Sequence, residues 1–293
     1  MKFEILGPDD PALQVINAQL KSHPEWETSL KIIPWAAYQP EMLAALESSE
    51  SPYQAVCIPG HIWLPGLADG AKLAAFEDLL PRLAHERIRA YGAEDILPSV
   101  AAECRYAGRQ YILPLFTDGH ILYYRKDLIH LDDSHGVPLI NPKDLPALLG
   151  KLTLNEGTLP LALKAHPSEI LTDWLPYLWA FGGEIFNAEN EAQFTSPQAI
   201  SALDFYVALK RFCPPNTNTY GNQEIGDALK SGQVAMAASW GGQAALIFDE
   251  RNPYREQIGT ALFPTPWNAT WGIGIPANLP LATQTGMLSV LYA

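Results

Sequence analysis

The chain opens on an alternating apolar run, KFEILG, followed by DDPALQVINAQLKSH, whose apolar residues recur at helical spacing behind an Asp-Asp-Pro start. TSLKIIPW reads as a strand again, QPEMLAALESS as a second helix and YQAVCIPG as a third strand. This succession predicts a mostly parallel sheet covered by helices, because parallel neighbours need a crossover and a helix supplies it. Beyond His61, WLPGLADGAKL, LAAFEDLLPRLAHERI and DILPSVAAEC read as turn and helix. The stretch Ile112 to Leu128, ILPLFTDGHILYYRKDL, is an apolar run broken at Thr117-Asp118-Gly119, resumed as ILYY and stopped at Arg125-Lys126-Asp127. Two strands with an interruption are predicted there, and Asp-Gly is a common hairpin signal.

Downstream, VPLINPKDLPALLGKL reads as a loop entering a helix and TLPLALK as a strand. SEILTDWLPYLWAFGGEIF reads as a helix closed by Gly182-Gly183, where glycine accepts the left-handed cap conformation. SPQAISALDFYVALKRF starts with Ser196-Pro197, an N-cap followed by a first-turn proline. NQEIGDALKSGQVAMAASWGG runs from a helix into a short apolar strand and a glycine-rich turn, and WGIGIP reads as a second such turn. No internal repeat or low-complexity tract is visible.

At 293 residues, with 48% hydrophobic and 17% charged, the chain is an ordinary folded protein with room for two domains. A formal charge of −13 and only 19 scattered Lys and Arg argue against a nucleic-acid partner. No apolar run is long enough to span a membrane, and MKFEILGPDDPAL lacks the features of a secretory signal. Cys57, Cys104 and Cys213 are too scattered for a disulfide framework or a metal site and read as buried thiols. The seven histidines are spaced singly, so no metal is expected.

Catalytic signatures are missing: there is no GxSxG, HExxH, GxxxxGK[ST] or GxGxxG. A glycosidase needs two carboxylates about 5 to 10 Å apart, and only Asp118 stands out; pairs such as Asp9-Asp10 and Asp132-Asp133 read as solvated loops. No catalytic residue and no cofactor is therefore expected.

Three segments taken in order, Ile112 to Leu128, LWAFGGEIFNAENEAQFTSPQAISALDFYVALK and ALKSGQVAMAASWGG, resemble the extracellular solute-binding proteins of ABC transporters. Within that family they are similar to the sugar-binding group of maltose-binding protein, over roughly Lys2 to Pro276. The resemblance implies an α/β, periplasmic-binding-protein-like fold: two α/β lobes joined by a hinge, with a ligand cleft between them. The expected lobes are residues 1–118 with 263–293, and 119–262, with crossings near Phe116 to Gly119 and Phe263 to Pro266. Relatives of this kind continue past the equivalent of WGIGIPANLPLATQ, so the family's C-terminal section is expected to be missing here. They are also exported, so a periplasmic or extracellular location is expected with the signal absent from this chain; a cytoplasmic paralogue is the alternative.

The implied function is capture of a small ligand, a carbohydrate first, for delivery to an ABC transporter permease by a monomer. A non-sugar solute such as a polyamine, and a carbohydrate-active enzyme, remain alternatives. Sugar rings present apolar C–H faces that stack on aromatics, while hydroxyls need polar partners. The resemblance points to Asp118, at the first crossing, as an acceptor for hydroxyls; the competing reading is a turn that serves only the fold. It also points to His61 and Trp63 in a loop after the third strand, to Trp240 after MAAS, to Trp174 and Tyr177 on the helix before Gly182, and to Trp271 in WGIGIP. Trp179 reads as core, and Trp35 as at least as much structural as ligand-facing.

Overall fold

The computed structural model describes residues 2–22, 27–48, 50–189, 191–265 and 267–293. The chain divides into two compact units, Met1–Asp118 with Ala269–Ala293, and Gly119–Asn268. The return to the first unit falls a few residues beyond the expected 262/263 boundary, because Phe263 is buried in the second unit's core and Trp267 packs on it. Pro266, the end of the expected second crossing, lies outside the described residues, as do His23 and Ser49 at the ends of the first two helix candidates.

In the first unit, strands β1 (Phe3–Pro8), β2 (Thr28–Ile33) and β3 (Ala55–Pro59) are joined by helices α1 (Pro11–Ser22) and α2 (Trp35–Glu47). They lie parallel in the order β2-β1-β3, with Phe3 opposite Thr28, Pro8 opposite Ile33 and Ile5 opposite Ala55. All five residues of β3 are buried, as befits a strand covered on both faces. Helix α2 begins at Trp35, a turn earlier than the pattern predicts, and carries Pro40 inside it.

Helix α3 (Gly60–Asp69) follows β3 directly, so His61 and Trp63 sit in a helical first turn rather than the expected loop. WGIGIP is no turn either: its first four residues belong to the strand Asn268–Gly274, which pairs antiparallel with β3, Trp271 opposite Pro59. Its glycines are there for close packing. A Cβ on Gly272 would lie 2.6 Å from the Leu113 carbonyl oxygen, and one on Gly274 would lie 2.7 Å from Ile58. The C-terminal helix Leu281–Leu291 buries Met287 and Leu288 in the same core as β1 and β3.

Strand β4 (Ile112–Arg125) is a single fourteen-residue strand. The predicted interruption at Thr117-Asp118-Gly119 does not occur, and neither does the Asp-Gly turn: Asp118 and Gly119 are extended, and Gly119 has no left-handed φ. Ile112 and Leu113 belong to the first core, and Leu122 and Tyr124 to the second.

In the second unit the later half of β4 is the central strand. It is flanked antiparallel by β5 (Met236–Trp240) and β6 (Ile258–Ala261), which puts Leu122 between Ala238 and Ala261; the strand Asn268–Gly274 that pairs with β3 is β7. TLPLALK forms only isolated bridges, Leu159 to Val234 and Ala162 to Ala237, and not a strand.

Helices α4 (Ile170–Ala180), α5 (Pro197–Ala208) and α6 (Asn222–Lys230) follow the predicted segments. Gly182 takes φ 74° at the end of α4, and the amides of Gly183 and Gly182 donate to the carbonyls of Leu178 and Trp179. Ser196 caps α5 by accepting from the Ala199 amide. All three cysteines are free and buried, and burial pushes each thiol up to about 12.

Two glycine substitutions test this packing in opposite directions. Gly272→Ala should destabilise by about 1–3 kcal/mol, because its Cβ meets backbone that cannot yield. Gly66→Ala, inside α3 with nothing near its Cβ, should stabilise by about 0.4–1 kcal/mol. Urea melts of the two variants against the parent read both signs.

Candidate ligand-binding site

The parallel order β2-β1-β3 makes β1 the strand from which the chain departs to both sides, and ligands of open α/β sheets bind beyond the carboxyl ends of strands at such a point. Asp9 and Asp10 follow β1, Trp35 follows β2, and His61 and Trp63 follow β3. The amide of Asp9 donates to the Ile33 carbonyl at 2.8 Å, which ties the first two of these ends together. Trp271 on β7 arrives beside Pro59 at the end of β3.

Asp10 accepts from the Ala12 amide at 2.8 Å, so it is fixed at the start of α1. Its carboxyl is held above the usual carboxylate range, first by burial and then by the negative charge of Asp118. The two acids therefore lie within electrostatic range of one another, and the reading of Asp9-Asp10 as a solvated loop holds only for Asp9, which is exposed.

Around this edge the aromatic rings gather. Trp35 and Trp63 lie nearly parallel, with centroids 6.2 Å apart and 9° between planes, and Tyr38 lies 6.2 Å from Trp35 and 6.3 Å from Trp63. Trp271 meets Trp35 edge-on at 5.6 Å and stacks with Phe116 at 5.9 Å. Tyr38 is fully buried and donates its hydroxyl to the carbonyls of Leu6 and Cys57, which anchors the group. Burial pushes His61 down to about 4, with the Thr270 backbone acting the other way, and its Nδ1 is buried without a hydrogen-bond partner. The imidazole is thus neutral.

The second unit has its own group. His120, opposite Trp240 across β4 and β5, is 4% exposed and packs edge-on to Trp240 at 5.5 Å and beside Trp267 at 5.9 Å. Trp240 and Trp267 meet at 5.0 Å, and Trp179 meets Trp267 at 6.2 Å. Beneath them Lys164, wholly buried, sets its ammonium 4.9 Å from the Trp240 ring centroid, 3.2 Å from Asn222 Oδ1 and 3.4 Å from Glu169 Oε2. Glu169 also accepts from Trp240 Nε1 at 3.3 Å and from Asn222 Nδ2 at 3.1 Å. Asp173, 2% exposed, accepts from the Lys164 amide and the Tyr206 hydroxyl and stands 3.5 Å from His120 Nε2. Among the described residues no group of three or more His, Cys, Asp or Glu is gathered to hold a metal ion.

The structure sorts the sequence candidates. His61, Trp63 and Trp271 come together at the end of β3, and Asp118, in the same unit, lies within electrostatic range of Asp10; Trp240 stands in the second unit with partners the pattern did not single out. Trp174 and Tyr177 do not join either group. They are 7% and 2% exposed, and Tyr177 is enclosed by Tyr206, Phe205 and Phe263. The residue of α4 that reaches the Trp267 ring is Trp179, two positions on and so on another face of the helix. Reasoning from sequence did not nominate Asp10, Lys164 or Glu169. Only the Asp-Asp-Pro helix start signalled Asp10; Lys164 and Glu169 had no signal.

His120 makes the fold sensitive to acid. Burial first, and then the charge of Lys164, keep its proton affinity well below the ordinary imidazole value. The unfolded chain takes up that proton near pH ~6.5, so stability is present above that value and is lost as pH falls below it. His61 acts with the same sign. Melting midpoints should decline between about pH 7 and about pH 5, and His120→Gln should show a shallower decline than the parent. An unchanged slope in that variant would mean that His120 does not carry the effect.

The sequence and fold have known counterparts. The mannitol-binding protein of Pseudomonas aeruginosa is 27% identical over 200 residues, 64% of this chain and 46% of that protein, so the chain spans about half the length of the curated relatives it matches. A solute-binding protein of an ABC transporter from Agrobacterium radiobacter, solved with ribitol, superposes with a TM-score of 0.81 at 17% identity, covering 99% of this chain and 75% of that one. The maltose-bound MalE3 of T. maritima superposes with a TM-score of 0.77 at 20% identity, covering 99% and 76%. These superpositions bear out the α/β periplasmic-binding-protein fold. Residues 7–280, nearly the whole chain, match the sequence model described as bacterial extracellular solute-binding protein, and the chain belongs to that family.

Proposed function

We propose that this protein captures a small, uncharged polyhydroxylated solute, a sugar or sugar alcohol, and delivers it to the permease of an ABC transporter. The observation that carries this reading is the pairing, in each unit, of an aromatic floor with a carboxylate. In the first unit Asp10, within electrostatic range of Asp118, follows β1 at the strand ends that also carry Trp35 and Trp63, and in the second Glu169 bonds Trp240, which meets Trp267. Indole faces suit the C–H surfaces of a sugar, and fixed carboxylates suit its hydroxyls. The mannitol, ribitol and maltose named for the similar proteins agree with that chemistry.

A polyamine would need negative charge left over for its ammonium groups. In the second unit Glu169 is already answered by Lys164, Asn222 and Trp240, and Asp173 is buried and accepts from Tyr206, which favours a neutral ligand. We place the protein outside the cytoplasm, in the periplasm or at the cell surface, following its extracellular family, and propose that it acts as a monomer. Among the described residues no helix is long and apolar enough to cross a membrane. Because the family is one of transport binding proteins, the ligand should leave unaltered.

A thermal-shift screen over sugars, alditols, polyamines and amino acids tests the ligand class. A ligand at 100 times its dissociation constant stabilises the native state by about 2.7 kcal/mol, a readily read shift. Hits are expected among sugars or alditols, and hits confined to polyamines would reassign the ligand. Chromatography of the hit after prolonged incubation should return it unchanged; repeated turnover, lost on changing one carboxylate, would make the protein an enzyme.

The site residues are tested by calorimetric titration with that hit. Asp118→Ala should weaken binding by about 1.5–3 kcal/mol, the range for a hydrogen bond to a charged group. Trp240→Ala should weaken it by about 1 kcal/mol or more through lost ring contact. Parent-like affinity in Asp118→Ala would remove that carboxylate from the site.

A further inference from the structure

Among the aromatic residues of the first unit, Trp35 combines two properties that rarely occur together. The residue is 53% exposed, yet its indole is held by three other rings: Trp63 and Tyr38 nearly parallel to it, and Trp271 edge-on. A tryptophan left open only for lack of anything to cover it has no reason to be so closely braced. Trp63 is half-buried against the core, and Tyr38 is fully enclosed. Exposure thus rises from Tyr38 through Trp63 to Trp35, and Trp35 is the ring of this group with the most open surface.

Its place in the fold adds an independent argument. Trp35 stands at the carboxyl end of β2, two residues past Ile33, whose carbonyl accepts from Asp9. That bond puts the Trp35 backbone beside the segment carrying Asp10, which lies within electrostatic range of Asp118. The open ring and the paired carboxylates therefore belong to one edge of the sheet, at the point where ligands of such sheets bind. A rigid indole loses little freedom when a ligand settles on it, so its contact area converts efficiently into affinity.

We propose that Trp35, with Trp63 as its support rather than as the contact itself, is the surface of the first unit on which the ligand's C–H face stacks. This rests on the sugar or sugar-alcohol reading above. The test is calorimetric titration of the parent, Trp35→Ala, Trp35→Phe and Trp63→Phe with the solute that the screen returns, together with their melting midpoints without ligand.

Trp35→Ala should weaken binding at least tenfold with little change in the unliganded midpoint, and Trp35→Phe should recover most of the loss because a flat ring is restored. Trp63→Phe should lower the midpoint more than Trp35→Ala does and cost less affinity. Parent-like binding by Trp35→Ala overturns the proposal while leaving the ligand class intact. A lowered midpoint in Trp35→Ala with parent-like affinity overturns it too, since the ring would then serve only the fold. A parent that binds no sugar or alditol defeats the functional reading, and the proposal with it.

Discussion

The parallel pairing of β1 with β2 and β3 is the constraint on which the first unit's candidate site depends. Six consecutive residue pairs lock β1 to β2, from Phe3 opposite Thr28 to Pro8 opposite Ile33. A slip of one residue would turn every side chain to the other face and bury the wrong set. With the register fixed, the strand ends coincide, and residues far apart in sequence, Asp10, Trp35 and Trp63, emerge along one edge. Tyr38 secures the arrangement from below, because its hydroxyl is satisfied by backbone carbonyls of both β1 and β3.

The second unit solves a different problem, that of holding charge inside a core. Lys164 and Asp173 are buried, and an unpaired ion there would be costly. The unit answers with a connected set: Asp173 between the Lys164 amide and the Tyr206 hydroxyl, Lys164 against Glu169 and Asn222, and Glu169 held by Trp240. Such a network contributes little net stability against an apolar replacement, but it fixes geometry. Here it holds the Trp240 indole from its ring nitrogen and places an ammonium near its face.

Strand β4 joins these two environments. Its ends are apolar and its middle polar because its ends lie in two different cores, and Asp118 is the last residue of the first unit. An acid in the middle of a strand looks like a turn signal when only neighbours in sequence are considered. In the fold the backbone stays extended, and Asp118 comes within electrostatic range of Asp10, more than a hundred positions earlier.

Local patterns determined a good deal. Period-two and helical spacing marked β1 to β3 and the helices between them, Ser196-Pro197 and Gly182 marked helix ends, and scattered cysteines marked buried thiols, since each of these is settled within a few residues of chain. The tertiary structure decided the rest. WGIG became a strand because the Leu113 backbone and Ile58 press against it, TLPLALK stayed irregular, and of the aromatic residues on α4 it was Trp179, read from sequence as core, and not the candidates Trp174 or Tyr177, that met Trp267. Periodicity says which residues share a face of an element; what covers that face, and so whether an indole is core or contact surface, depends on partners brought in from distant parts of the chain.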